Sequence, residues 1–377
     1  SKGCSSEDGS SVKKGYETIL ANNGGAASMT TLTSTDFANV TTASDKGMYK
    51  AQDDLGTSYY FRGAVDNNWV KYGKYTKDAY ITVDSNDNYS LVDSCNGLNL
   101  CVKLASKGDD MYWRIIRVNG DNSIRMIYTG TSAPDSNTKV VMTESTNDSG
   151  YIRATSAGMS RFNQNVNSAE YVGYMYTIGE QHGTSKSSDI KTYLDNWYAN
   201  YTDLNKTGTK ITDQIYCNDR TASISRSGTA GEISSWASTG TTYYYGTYLR
   251  LYGDSSNPSP SLICTNANDK FTTTTAKGNG KLSYPVGLIT ADEVNMAGAD
   301  NQYNSNQSYY LYNNSAYWVG SAREFAGRYA YEFIVDVADN LAWTDVYGDV
   351  GVRGVVSLSS ESKLLGSGTY NDVYVVS

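Results

Sequence analysis

The sequence predicts an α+β domain with a central antiparallel hairpin, two helices, a C-terminal β meander and long loop insertions. Three observations predict it. In MYWRIIRVNGDNSIRMIYTG, two apolar or β-branched runs (113–118 and 123–129) flank Asn119-Gly120-Asp121-Asn122, and Asn-Gly between such runs signals a hairpin. Two stretches carry a helical period or a helix cap. Residues 317–358 hold three β-like runs broken by Gly, Asn and Asp, the pattern of an antiparallel meander.

Taken in order, residues 1–50 are rich in Gly, Ser, Thr and Asn and read as a linker or stalk that packs weakly on the rest. They include one short helical candidate over 11–22, with Val12, Tyr16, Ile19 and Leu20 on one side. Residues 51–377 form the second unit, in which TSYYFRGAVDNNWVKYGKY reads as strands around a turn at Asp66-Asn67-Asn68. The 113–129 hairpin has Ile or Val on both faces, which places it centrally and buried. Residues 130–280 carry the long loop insertions, interrupted by a short strand at 171–179 and a helix at 187–200. In that helix Ser187 or Ser188 is the cap, and Ile190, Tyr193, Leu194 and Trp197 form one stripe. YPVGLITADEVNMAG runs from strand to helix, and Thr290-Ala291-Asp292-Glu293 matches a capping box, a structural role for Glu293. A last strand at 370–376 returns the chain to the body.

Composition narrows the function. With 31 Lys and Arg against 39 Asp and Glu the net charge is −8, which argues against nucleic acid or an anionic membrane as partner. Charged residues are only 19% of the chain, so solubility rests on Ser, Thr, Asn and Gly, as in many extracellular β-rich proteins. Cys95 and Cys101 bracket a short loop that a disulfide can close, and Cys217 with Cys264 is the natural second pair. Disulfides imply an oxidising, extracellular setting. Cys4 is left over, as a free thiol or a cross-link to a neighbour. No apolar run is long enough to span a membrane, so any surface anchor is expected to be absent from the chain.

No catalytic, metal or cofactor pattern stands out. His182, the single histidine, lies in the Gly-flanked loop GEQHGTS with no nucleophile elbow and reads as solvent-exposed. Asp84-Ser85-Asn86-Asp87-Asn88 alternates oxygen ligands like a calcium loop. It lacks the Gly at position six and has Cys95 at position twelve, so a polar hairpin turn is the better reading. One histidine and no CxxC argue against zinc.

Trp318 and Ser321 of YWVGS, Ala330 ahead of FIVDV, and the closing GVRGVVSL resemble the C-terminal signature of the C-type lectin fold. The nearest branch is that of formylglycine-generating-enzyme-like domains and bacterial surface proteins. GTSYYFRGAV, YWRIIRVNGDNSIRMIY, YPVGLITADEV and SGTYNDVYVV extend the resemblance over roughly residues 50–377. Some relatives are variable proteins of diversity-generating retroelements, whose final segment is mutated to retarget ligand binding. The resemblance implies a framework of Tyr317, Trp318, Ser321, Ala330, Tyr331, Phe333, Val335, Gly351, Val352, Arg353 and Val355. Ligand-binding positions free to vary are then Val319, Arg323, Glu324, Phe325, Arg328, Tyr329, Glu332, Asp339, Ala342, Trp343, Asp345, Tyr347, Asp349 and Val350. Gly354 and Val373 stand where relatives have Pro, and Gly354 itself is a candidate mutable position. The cysteine pair that a formylglycine-generating activity needs near this signature is missing, since the last cysteine is Cys264. The expectation is a non-enzymatic, extracellular or surface-displayed adhesin or receptor without cofactor, binding a macromolecular ligand, a protein or else a glycan. The alternatives are a self-assembling filament or pilus subunit and, behind it, a glycan-active enzyme.

Overall fold

A computed structural model of the chain describes residues 12–377, apart from 87, 98–100, 137–143, 148–149, 154–156, 301–303 and 339–340, with backbone only for 144–147 and 150–153. Cys4 and Asp339 therefore lie outside the described residues. The architecture is mixed α and β, with many strands and few helices. The strands that organise it are β1 (Lys46–Asp53), β2 (Gly56–Gly63), β3 (Trp69–Lys74), β4 (Asp110–Val118), β5 (Ile124–Gly130), β6 (Thr242–Tyr245), β7 (Tyr317–Ala326), β8 (Ala330–Val335), β9 (Leu341–Asp345), β10 (Val350–Gly351), β11 (Val355–Leu358) and β12 (Tyr374–Val376). The helices are α1 (Gly15–Ala21), α2 (Ser34–Phe37), α3 (Asp189–Tyr201), α4 (Gly246–Tyr252) and α5 (Ala291–Ala297).

The hairpin predicted from Asn-Gly is β4–β5, turning at Asn119–Asn122, with Asn122 in the left-handed region at φ 68°. Almost every side chain of both strands is buried. β5 pairs with β11, while the other edge of β4 is shared by β3 near its start and β2 near its end. β12 adds in parallel to β3, so the final strand rejoins the body as the sequence suggests. α3 packs on this sheet through Ile190, Leu194 and Trp197, all fully buried, and Ser188 caps it by accepting from the Lys191 N–H. Trp197, Tyr128 and Trp113 stack edge-on or tilted at 5.1–5.4 Å between neighbours. The two indole N–H groups reach Tyr75 Oη at 3.0 Å and Tyr72 O at 2.8 Å, which satisfies donors that burial would otherwise orphan.

A second sheet carries the meander. β7, β8 and β9 are consecutive antiparallel neighbours, and the other edge of β7 meets β10 at Tyr317 and β6 at 324–326. The run at 352–358 departs from expectation. It is no third meander strand, because β11 crosses to the central sheet and pairs with β5. Its four residues are all buried, which suits a strand covered on both faces. The first meander strand is instead β7.

Four other readings are corrected. Residues 12–50 do not hang loosely: Ile19, Met29, Phe37 and Met48 are buried, β1 pairs along its full length with β2, and Arg62 donates to Asp36 O and Asn39 O. The strand expected at 171–179 is a short 3-10 turn over Ala169–Val172 followed by two strand residues, Met175–Tyr176. The 205–280 stretch holds β6 and α4, and the helices number five among the described residues instead of two. The Thr290–Glu293 capping box forms as expected. Both disulfides, Cys95–Cys101 and Cys217–Cys264, are present. The Asp84–Asn88 segment is a polar turn in which Asp84 Oδ1 accepts the N–H groups of Asn86 and Asn88 at 2.8 and 3.0 Å. No helix among the described residues is long and apolar enough to cross a membrane.

Candidate functional site

In an antiparallel pair, residues directly opposite share a face. The register places Tyr331 opposite Asp345 and Phe333 opposite Trp343, while Glu324 of β7 lies opposite Tyr331 and Tyr244 of β6 lies opposite Glu324. One face of the meander thus presents Tyr244, Glu324, Tyr331, Trp343 and Asp345 across four strands. α4 covers the deeper part of it. Tyr252 stacks on Phe333 at 5.9 Å and its hydroxyl donates to Leu341 O at 3.0 Å, leaving Phe333, Val335 and Leu341 fully buried.

Arg323 sits at the centre. Its guanidinium lies 3.7 Å from the ring centre of Trp343, 5.1 Å from that of Tyr248 and 5.8 Å from that of Tyr252, and Nη1 donates to Glu324 Oε1 at 2.6 Å. Arg323 is 5% exposed, so Trp343 roofs it. A planar cation between aromatic faces fixes the indole without filling the surface with apolar contacts. Around this centre Arg226 donates from Nε to Tyr244 Oη at 3.1 Å. Burial, with the Asp345 and Glu324 carboxylates beside it, pushes the Tyr331 phenol up, so it stays a neutral donor.

Thirteen of the fourteen sequence-predicted positions, all but Asp339, are described and separate by exposure. Arg328, Tyr329, Trp343, Tyr347 and Asp349 are exposed, and Glu324, Ala342 and Asp345 are half-buried. Val319, Phe325 and Val350 are core residues, Arg323 is the buried support just described, and Glu332 is fully buried. A ligand on the surface does not reach the three apolar ones. Neither Glu332 oxygen has a hydrogen-bond partner among the described residues, and burial pushes its carboxyl well above the ordinary range with Arg220 working against the rise. Tyr347 and Asp349 turn toward Arg161: its guanidinium lies 3.6 Å from the Tyr347 ring centre, and its Nε lies 3.5 Å from Asp349 Oδ1. Gly354 is no freely mutable position, because a Cβ there sits 2.8 Å from Trp197 Cζ3.

Sequence reasoning missed Arg226, Tyr244, Tyr248 and Tyr252, which lie in a stretch read as loop. The signal was TYYYGTYLRLY, in which Tyr244, Tyr248 and Tyr252 repeat every four residues.

His182 is not the exposed loop residue expected. Its side chain is 8% exposed, with Nδ1 2.9 Å from Asp269 Oδ2 and Nε2 2.8 Å from Glu232 Oε2. Asp269 is fully buried and also takes the Arg220 Nε at 2.8 Å, so His182 closes an ionic cluster between loops. Carboxylates at both ring nitrogens describe a structural bridge and not a base set beside a nucleophile. Below the meander, Glu293 accepts from Arg117 and Arg125 while Asp219 and Asp292 hold Arg250. This buried network lines a cavity of about 30 Å³, the room of roughly one water. Among the described residues no three His, Cys, Asp or Glu side chains are grouped to hold a metal ion.

No family model, curated protein or solved structure matches the chain.

Proposed function

We propose that the chain is an extracellular or surface-displayed binding protein with a C-type-lectin-like fold, whose meander face takes a macromolecular ligand without chemistry. The carrying observation is the Arg323-centred face, where exposed Trp343 and Tyr329 stand among Arg226, Arg328, Glu324 and Asp345 on a braced sheet. Aromatic and arginine anchors of this kind dominate protein recognition, and rigid support limits the ordering cost of binding. Charges of both signs favour a protein ligand with complementary groups over a uniformly charged polymer. The two disulfides are consistent with an oxidising compartment. Diversification of the segment by a retroelement is part of the same proposal, supported by the mixed chemistry of the exposed positions on fixed strands.

The test compares the whole chain with a Trp343→Ala, Tyr329→Ala variant for capture of surface proteins under cross-linking, with thermal unfolding in parallel. The expected outcome is a partner captured by the wild type and lost from the variant, with a cost in stability of about 1 kcal/mol or less for these exposed rings. Loss of several kcal/mol would assign the two rings to the core instead.

A further inference from the structure

Away from the meander face lies an open cleft of about 420 Å³, between the strand Tyr89–Val92 and helix α3. Its size falls within the ~300–1,000 Å³ of small-molecule sites, and polar residues make up most of its lining while their carbon stems and two tyrosines keep about half of its surface apolar. Leu91 and Tyr193 give the floor what apolar surface it has, and Tyr193 is held by a 2.6 Å hydrogen bond to Ala157 O. The rest is amides and hydroxyls: Asn88, Ser90, Ser160, Gln164, Thr192 and Asn196, with the half-buried Tyr89 ring beside them. Two lining groups are charged, Arg161 and Asp189, and they are of opposite sign, so the cleft as a whole is neutral.

Arg161 is already committed. Nη1 donates to Asn88 Oδ1 at 2.9 Å, Nη2 donates to Asn86 O at 3.2 Å, Nε faces Asp349, and one face of the guanidinium is stacked on Tyr347. It therefore braces the wall and does not offer a fork to an anion. Asp189 accepts the Gln164 backbone N–H through Oδ2 at 2.7 Å and keeps acceptor capacity that suits a ligand hydroxyl. At the rim Thr192 Oγ1 donates to Ser188 O at 3.2 Å and Asn196 Oδ1 accepts from Asn200 Nδ2 at 2.9 Å, so Thr192 offers acceptor lone pairs and Asn196 its NH2 donors beside the Gln164 amide and the Ser90 hydroxyl, a set that matches a molecule with many hydroxyls and no charge.

We propose that this cleft binds a neutral saccharide, one or two rings of an uncharged glycan, held by the Gln164 and Asn196 amides and the Ser90 and Thr192 hydroxyls. The inference does not rest on the meander-face reading, and a protein partner there and a sugar here are separate events.

Saturation-transfer NMR on the full chain tests it, with glucose, galactose, mannose, xylose and N-acetylglucosamine and their disaccharides as probes. The expected result is transfer to at least one probe, unchanged in Trp343→Ala and lost in Thr192→Trp, which fills the cleft from an exposed helix position. Asn196→Ala and Gln164→Ala, also at the rim, each weaken the affinity about tenfold without lowering the melting temperature, and they stand in if the tryptophan variant fails to fold. The proposal is overturned if no probe binds at millimolar concentration, or if binding survives both Thr192→Trp and the alanine changes. Inorganic phosphate or free lysine displacing the sugar from the cleft, or binding there in its place, would equally overturn it.

Discussion

Glu332 and Glu293 are both buried carboxyls, and their surroundings give them opposite dependences on pH. At Glu293 burial works to raise the pKa, but the Arg125 and Arg117 guanidiniums override it and hold the group at about 2. Its contribution is present above the unfolded value near 4.5 and is lost as the pH falls from there toward 2, on the order of 3 kcal/mol at ~1.4 kcal/mol per unit. Glu293→Gln leaves buried Arg125 without its carboxylate and Arg117 with Asp53 alone, and is expected to cost about 3–5 kcal/mol at pH 7, read by denaturant unfolding. Glu332 runs the other way. Its folded pKa lies above its unfolded one, so its own contribution to stability is fully present below pH 4.5 and is lost as the pH rises through the folded value. Glu332→Gln removes that loss. Its advantage over the wild type is expected to grow as the pH rises above ~5, by up to ~1.4 kcal/mol per pH unit, and a constant difference would mean that Glu332 ionises normally. A site position that the family resemblance treats as variable is thus one whose charge the core tolerates poorly.

At the scale of elements, β4–β5, α3 and the capped α5 were legible because local chemistry decides them: Asn-Gly, a serine cap with an apolar stripe, a Thr–Glu box. β11 was misplaced because a short apolar run carries no record of which sheet it joins. The facing of Arg323, Glu324 and Phe325 was also illegible. β7 has register shifts between its pairings at Trp318 and Ala322 and again between Ala322 and Glu324, and each shift breaks the strict alternation from which faces are read. The tyrosine-rich β6–α4 unit was lost for a third reason, since its packing partner lies about 80 residues away on β7 and β8. That unit lies inside the loop closed by Cys217–Cys264, 47 residues apart. Replacing both cysteines with serine is expected to lower stability by about 2–4 kcal/mol and to weaken ligand binding, because α4 supplies the tyrosines beneath Arg323. Loss of stability with ligand affinity intact would show that the α4 support is dispensable.

Across the whole molecule, residues 350–355 tie the two sheets together. β10 belongs to the meander sheet and β11 to the central one. Between them Arg353 donates to Tyr128 O at 2.9 Å and lies 4.7 Å from the Tyr317 ring centre, and Gly354 has no room for a side chain beside Trp197. A binding surface built on this frame can change only where side chains leave it. The most direct test is deep sequencing of the codons for residues 317–354 across a population of the source organism. Substitutions are expected at adenine positions in the codons of the exposed residues 328, 329, 343, 347 and 349, with Val319, Phe325, Val350, Arg353 and Gly354 spared. An invariant segment, or changes spread equally over exposed and buried positions, would contradict that expectation.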